Sequence, residues 1–320
     1  MVRKLLPVAA AVLLAANVAG AQPASGEDSG DVGSVFVQGN IYMLAGPTGN
    51  SAVSVGDWGV MVVDTQTAEY ADQIIAKIRE ISDQPIRYVI NTSADPNKVG
   101  GNTPISRAGA PVTGGNLGRV AFENGATIIA HENVLFRMTE DATEGEAVED
   151  PDALPTTTYF ENQKEVFFNE EPVIIKYFPA AHTDGDSVVF FRRSDVIAAG
   201  DLFDMTAYPH IDIERGGNVQ GVLDALNWIL SQTIPRHEQE GGTYVIPGRG
   251  RLTDEHDVLE YRDMVTIVRD RIQAMIDQGM RLEQIQAANP TYEYDPRFGS
   301  DSGNWTTQDF VEAVYYSLAE

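Results

Sequence analysis

Residues 91–102 read Asn-Thr-Ser-Ala-Asp-Pro-Asn-Lys-Val-Gly-Gly-Asn and follow the apolar run Ile86–Ile90. A β-branched run that opens into polar residues and ends in a glycine pair marks a strand passing into a loop, where scaffolds present reactive side chains. Ser93, Asp95, Asn97 and Lys98 offer a hydroxyl, a carboxylate, an amide and an ammonium there. The loop has no histidine, no cysteine and no base beside Ser93. A lysine five residues from a serine is not an activating spacing, so the loop alone does not read as a nucleophilic site. Of the five histidines, His237 and His256 are flanked by charged residues and read as solvent-exposed, and His210 in "AYPHIDIERGG" reads as a surface loop able to line a pocket mouth. "GRGR" at 248–251 lacks the lysine and spacing of a phosphate loop. Trp58, Trp228 and Trp305 are dispersed and form no evident aromatic platform.

The elements that must carry these residues alternate in type. Strands are expected at 40–46, 51–56 and 59–65, separated by turn residues, and then a helix whose apolar face is Ile74, Ile75, Ile78 and Ile81, ending at Asp83-Gln84-Pro85. The strand 86–90 leads into the polar loop. Further strands are expected at 126–134, 172–178, 187–193, 195–203 and 243–248, with an acidic, mobile segment at 139–155. Asn218 is placed to cap a helix with Val219, Val222, Leu223, Leu226 and Leu230 on one face. Helices at 255–279 and 308–318 complete the chain. Two sets of strands with helices between them suggest two sheets face to face with helices outside.

Composition bounds the function. The chain has 320 residues, 43% of them hydrophobic, enough for a large core. Arg3 and Lys4 precede an apolar run from Leu5 to Val18 and then Ala19-Gly20-Ala21, the pattern of a secretory signal, so residues 1–21 read as a cleaved leader and 22–34 as a flexible mature N-terminus. The apolar run is shorter than the roughly 20 residues that span a bilayer, and no membrane insertion is expected after cleavage. The product is expected in the periplasm or secreted. A formal net charge of −25 with no basic patch disfavours nucleic acid and anionic lipid. The absence of cysteine excludes thiolate metal sites and thiol nucleophiles.

Four stretches together carry a resemblance. "GDWGVMVVDT" with Asp64, "RYVINTSADPNKVGGN", "PAAHTDGDSVVFF" followed by "DVIAAGDLF", and "VIPGRG" resemble, in order, the landmarks of the metallo-β-lactamase superfamily, in its exported hydrolase-like branch. The resemblance runs from about residue 35 to 318 and implies one domain over 35–320, a four-layer αβ/βα sandwich. In that family the loop after the strand reads NTHxHxDHxGGN and, with a later histidine, an aspartate and a last histidine, holds two metal ions.

The resemblance also shows what has changed. The family's metal positions are Ser93, Asp95, Asn97, Lys98, His182, Asp201 and Arg249 here, and only His182 and Asp201 keep the family's residue. Charged lysine and arginine have no lone pair to give a metal. The expected outcome is an ion network Lys98–Asp201–Arg249 in place of the second metal, since a buried carboxylate needs compensation once its ion is lost. Asp95, His182 and Asp201 remain as residual donors for a single zinc, iron or manganese, although no metal is expected. Without metal, His182 could serve as a base and Lys98 with Arg249 as a clamp for a carboxylate or phosphate. The reading is a degenerate member, a pseudoenzyme binding a small anionic ligand or a partner. Its rivals are an ester, lactone or amide hydrolase using one metal or none, and a structural partner-binding protein. His131, Asp184 and Asp186 read as scaffold residues.

Overall fold

A computed structural model describes residues 30–111, 125–140, 150–239 and 241–319. The leader-like residues 1–21, the stretch 22–29 and residues 141–149 of the acidic segment lie outside the described residues.

Among the described residues thirteen strands form two sheets. The first contains β1 (Gly33–Gln38), β2 (Ile41–Gly46), β3 (Gly49–Gly56), β4 (Gly59–Val63), β5 (Ile86–Ile90), β6 (Thr127–His131) and β7 (Thr157–Tyr159), paired in sequence order. The second contains β8 (Gln163–Phe168), β9 (Glu171–Phe178), β10 (Asp186–Phe191), β11 (Val196–Ala198), β12 (Tyr244–Ile246) and β13 (Thr253–Asp254), in the order β13-β12-β11-β10-β9-β8. Pairing is parallel from β4 to β7 and between β11 and β12, and antiparallel elsewhere. β4 and β10 are buried along their whole length, and the apolar runs Val60–Val63 and Val188–Phe191 in them suit strands covered on both faces.

Three apolar layers hold the molecule together. Met61, Val63, Ile90 and Ile129 of the first sheet meet Val173, Ile175, Val189 and Phe191 of the second. The outer face of the first sheet is covered by the helix Ala71–Ile81 through Ile74 and Ile78 and by Ile105 of the helix Asn102–Arg107. The outer face of the second packs against the helices Val219–Gln232, Glu255–Asp277 and Thr307–Ala319. Truncating any of the fully buried isoleucines to alanine costs roughly 2–5 kcal/mol. The result is helix, sheet, sheet, helix, the expected αβ/βα sandwich. Among the described residues no helix is long and apolar enough to cross a membrane.

Three expectations need correction. β1 begins at Gly33, whose partner is Ala45, so the last residues of the stretch expected to be flexible are already in the sheet. The strand expected at 126–134 stops at His131. There His131 Nδ1 accepts a hydrogen bond from Asn133 N at 3.2 Å and caps the helix Glu132–Thr139. Of the acidic segment expected to be mobile, the described part includes a short helical turn at Pro151–Ala153 that accepts Asn102 Nδ2 at the Ala153 carbonyl, 2.8 Å away. The predicted cap at Asn218 is present, accepting from Gln220 N at 2.8 Å.

Candidate functional site

Parallel strands bring their carboxyl ends to one edge, and clefts form there. β4 leads into Asp64, β5 into the loop 91–95, β11 into Gly200-Asp201 and β12 into Gly248-Arg249, and the turn between β9 and β10 carries His182. Of these, Asp95, His182, Asp201, Gly248 and Arg249 line a cleft of about 520 Å³, with Asn97, Tyr208, His210 and Trp305 also on its walls and Asp64 beneath it. Gly200 has φ of 56°, and a Cβ there would sit 2.4 Å from Thr92 Oγ1, so only glycine lets Asp201 approach the loop this closely.

The polar loop is fixed from below. Asp64, at φ 63° and 3% exposed, accepts from Thr92 N at 2.8 Å and Thr92 Oγ1 at 2.7 Å. Burial pushes its carboxyl up to about 7, against the opposing pull of Lys98 and Thr92. The carbonyl of Lys98 accepts Thr65 N, Thr65 Oγ1 and Asn91 Nδ2 at 2.9–3.0 Å. The short helix Pro96–Val99 thereby turns the Lys98 side chain inward, where it is fully buried.

Lys98 Nζ lies 3.1 Å from Asp201 Oδ1. A Cβ on Gly248 would stand 3.4 Å from Nζ and one on Gly49 3.7 Å, so two glycines leave the ammonium its space. The approach to Asp201 is off the axis of a good hydrogen bond and acts as an ion contact. Burial disfavours the charge on Lys98, but Asp201 and Asp64 outweigh it and raise its pKa. Asp201 is held low: burial alone would raise it, and Lys98, His182 and the Ser93 hydroxyl more than reverse that. Ser93 Oγ donates to Asp201 Oδ2 at 2.8 Å.

Arg249 corrects the expected network. Its side chain is exposed at the cleft rim, and among the described residues it makes no ion pair with Asp201. Its backbone bridges to Asp204 and its carbonyl accepts Met205 N at 3.2 Å, in a turn closed by Gly250 at φ 102°. The second positive partner of Asp201 is His182 instead.

His182 is 1% exposed and makes two sets of contacts. Nδ1 lies 3.2 Å from Asp186 Oδ1, and Asp186 is itself fixed by Thr183 N at 2.6 Å. Nε2 faces His210 Nδ1 at 3.0 Å and Asp95 Oδ2 at 3.4 Å. Burial opposes charge on His182, yet Asp186, Asp95 and Asp201 raise its pKa well above the usual value, while burial and the neighbouring His182 lower that of His210. Asp186 is therefore more than scaffold, since it aims the imidazole. Asp184 keeps its structural part as a bidentate partner of Arg137, at 3.1 and 2.9 Å. His131 stacks on Tyr177 at 3.6 Å, and His237 and His256 are exposed, as expected.

The donor atoms do not fit a pair of metal ions. A buried ammonium occupies the neighbourhood of Asp201, and Asn97 and Arg249 offer no anionic or imidazole ligand. The residual set expected for one ion, Asp95, His182 and Asp201, is also revised. Asp201 faces Ser93 and Lys98, and the group that converges is Asp95, His182 and His210, with donor atoms within 4.8 Å of one another. His210 carries no spacing signal, since it comes 28 residues after His182 on a separate loop. Trp305, whose ring meets that of His210 edge-on at 4.3 Å, was equally invisible as a cleft residue.

No protein-family model and no curated protein matches this sequence. Solved structures do. The chain is similar to a metallo-beta-lactamase from Pontibacter korlensis, at TM-score 0.55 and 12% identity over 74% of this chain and 99% of that one. It is similar to a stereoselective inverting sec-alkylsulfatase from Pseudomonas sp., at TM-score 0.59 and 14% identity over 89% of this chain and 50% of that one, so it spans half the sulfatase's length. It is also similar to the DIM-1 metallo-beta-lactamase, at TM-score 0.53 and 14% identity over 74% of this chain and 97% of that one. The two facing sheets, the cleft at their shared edge and these likenesses together identify the chain as having the metallo-β-lactamase fold.

Proposed function

We propose that this chain is an exported metallo-β-lactamase-fold protein that has abandoned two-metal hydrolysis and binds a small ligand with an anionic group in its cleft. The observation that carries the reading is Lys98 Nζ, fully buried 3.1 Å from Asp201 Oδ1. Two-metal hydrolysis needs a hydroxide held between two dications. A fixed ammonium neutralises the aspartate without making any water acidic. Lys98 is sealed away from the cleft, so the anion-binding role falls to Arg249, exposed at the rim, with His210 and Trp305 beside it. Export rests on the leader-like first 21 residues, and the acidic surface argues against nucleic-acid partners.

Calorimetric titration with inorganic phosphate and with a short secondary alkyl sulfate, a probe suggested by the sulfatase likeness, tests this. Binding that Arg249→Ala weakens about tenfold or more, without turnover of nitrocefin, a lactone or the sulfate ester, supports it. Steady turnover of any of the three, or binding indifferent to Arg249→Ala, would sink it.

A second reading, a hydrolase using one metal, is favoured by the convergence of Asp95, His182 and His210.

A further inference from the structure

We infer that Asp95, His182 and His210 form a site for one divalent first-row metal cation, built with a histidine from outside the polar loop. The inference shares His210 with the Arg249 rim but not Asp95 or His182, so Asp95→Ala and Arg249→Ala separate the two and either can fail alone.

The first support is distance. Ligand atoms about 2.1 Å from a tetrahedral centre stand about 3.4 Å from one another. His182 Nε2 is 3.4 Å from Asp95 Oδ2 and 3.0 Å from His210 Nδ1, and the three atoms all lie within 4.8 Å. In the metal-free chain His182 Nε2 and His210 Nδ1 share a hydrogen bond at 3.0 Å, so an ion would take the place of that proton and widen the separation to about 3.4 Å.

The second support is how the central imidazole is held. His182 is buried, and Asp186 receives its Nδ1 at 3.2 Å while bound to Thr183 N at 2.6 Å and Thr183 Oγ1 at 3.3 Å. Metal-binding histidines are typically held in this way, with the rear nitrogen on a carboxylate and the front nitrogen free to ligate. Asp186 is 1% exposed, and aiming His182 is the evident use for so buried a carboxylate.

The third is the support of the recruited ligand. The Trp305 ring meets His210 edge-on at 4.3 Å and an interplanar angle of 81°, which limits the imidazole's swing. Arg215 lies 4.0 Å from Asp95 Oδ1, the oxygen that faces away from His182, and leaves Oδ2 available. Two imidazoles and one carboxylate suit zinc, iron(II) or manganese(II), and the fourth direction opens into the cleft. Lys98 excludes a second ion beside Asp201.

Chelator-stripped protein titrated calorimetrically with Zn²⁺ alone, and with Mn²⁺ alone, gives the test. One equivalent should bind. His210→Ala and Asp95→Ala should each weaken it at least tenfold, and Asp186→Asn by 10- to 100-fold, with melting curves showing that each variant still folds. His256→Ala removes an exposed histidine paired with Glu260 and should change nothing. Visible absorption of bound Co²⁺ provides a second readout that does not depend on affinity. No binding by the parent protein, binding unaffected by His210→Ala, or binding lost only with His256→Ala would overturn the inference. Two equivalents bound in the cleft would overturn it too, and the Lys98 argument with it.

Discussion

Lys98 Nζ stands 3.1 Å from Asp201 Oδ1, with the lysine side chain fully buried and the aspartate 15% exposed. Breaking one side of a buried ion pair strands the other charge, at a cost of about 3–5 kcal/mol. Lys98→Met should therefore destabilise by about that much in urea unfolding with an unchanged m-value. Lys98→Met combined with Asp201→Asn should recover most of the loss, since no uncompensated charge remains. A double variant no more stable than the single would show that Lys98 acts by packing rather than by charge.

Asp64 should make stability fall with pH. Its carboxyl is raised in the folded chain from 3.8 to about 7, so the folded state holds a proton that the unfolded state has released. The contribution is complete below about pH 4 and lost as pH climbs through 7. A shift of this size corresponds to a few kcal/mol at most. Asp64→Asn should flatten that part of the stability profile, and asparagine tolerates the positive φ at this position. Urea midpoints measured between pH 5 and 8 for both proteins would decide it; parallel profiles would count against the raised carboxyl.

Gly200→Ala should be costly because two effects add. The residue would take a left-handed backbone conformation, and its Cβ would meet Thr92 Oγ1 at 2.4 Å. A loss of about 2–4 kcal/mol is expected, with Asp201 displaced from Ser93. Unchanged thermal stability would mean that the loops part without strain.

Restoring the family's ligands should restore its metal. Ser93→His, Asp95→His, Asn97→Asp, Lys98→His and Arg249→His together should raise zinc per chain above that of the parent protein by elemental analysis. Parent-level zinc in a folded variant would show that these positions do not correspond to the family's ligand positions.

The architecture was legible because it rests on periodicity. Ile74 and Ile78 point inward from their helix, β4 is apolar throughout and β10 is apolar from Val188 to Phe191, and Asn218 caps where its side chain predicts. The strand overrun at 126–134 arose because His131 belongs to both elements, as the last strand residue and as the helix cap. At the site, Ser93 and Lys98 contact Asp201 and His182 acts on it through its charge; the family resemblance, not any periodicity, singles these residues out. Arg249 does not pair with Asp201, because a turn in which Gly250 takes a positive φ sends its side chain to the rim. For a different reason, His210 reads from the sequence only as a loop residue able to line a pocket mouth, Asp186 as scaffold and Trp305 as one of three dispersed tryptophans. Their roles depend on which loops meet in space, and neither a local spacing nor a helical or strand period records that.

Trp305 lies in the short run of chain that leads into the final helix, Thr307–Ala319, and that helix packs on the outer layer of the second sheet. One wall of the cleft is thus borrowed from the far end of the polypeptide. Any occupant that presses on both His210 and Trp305 would cinch the tail of the molecule to its middle, so loading the cleft should shield residues near 300–307 from proteases that never reach the occupant itself.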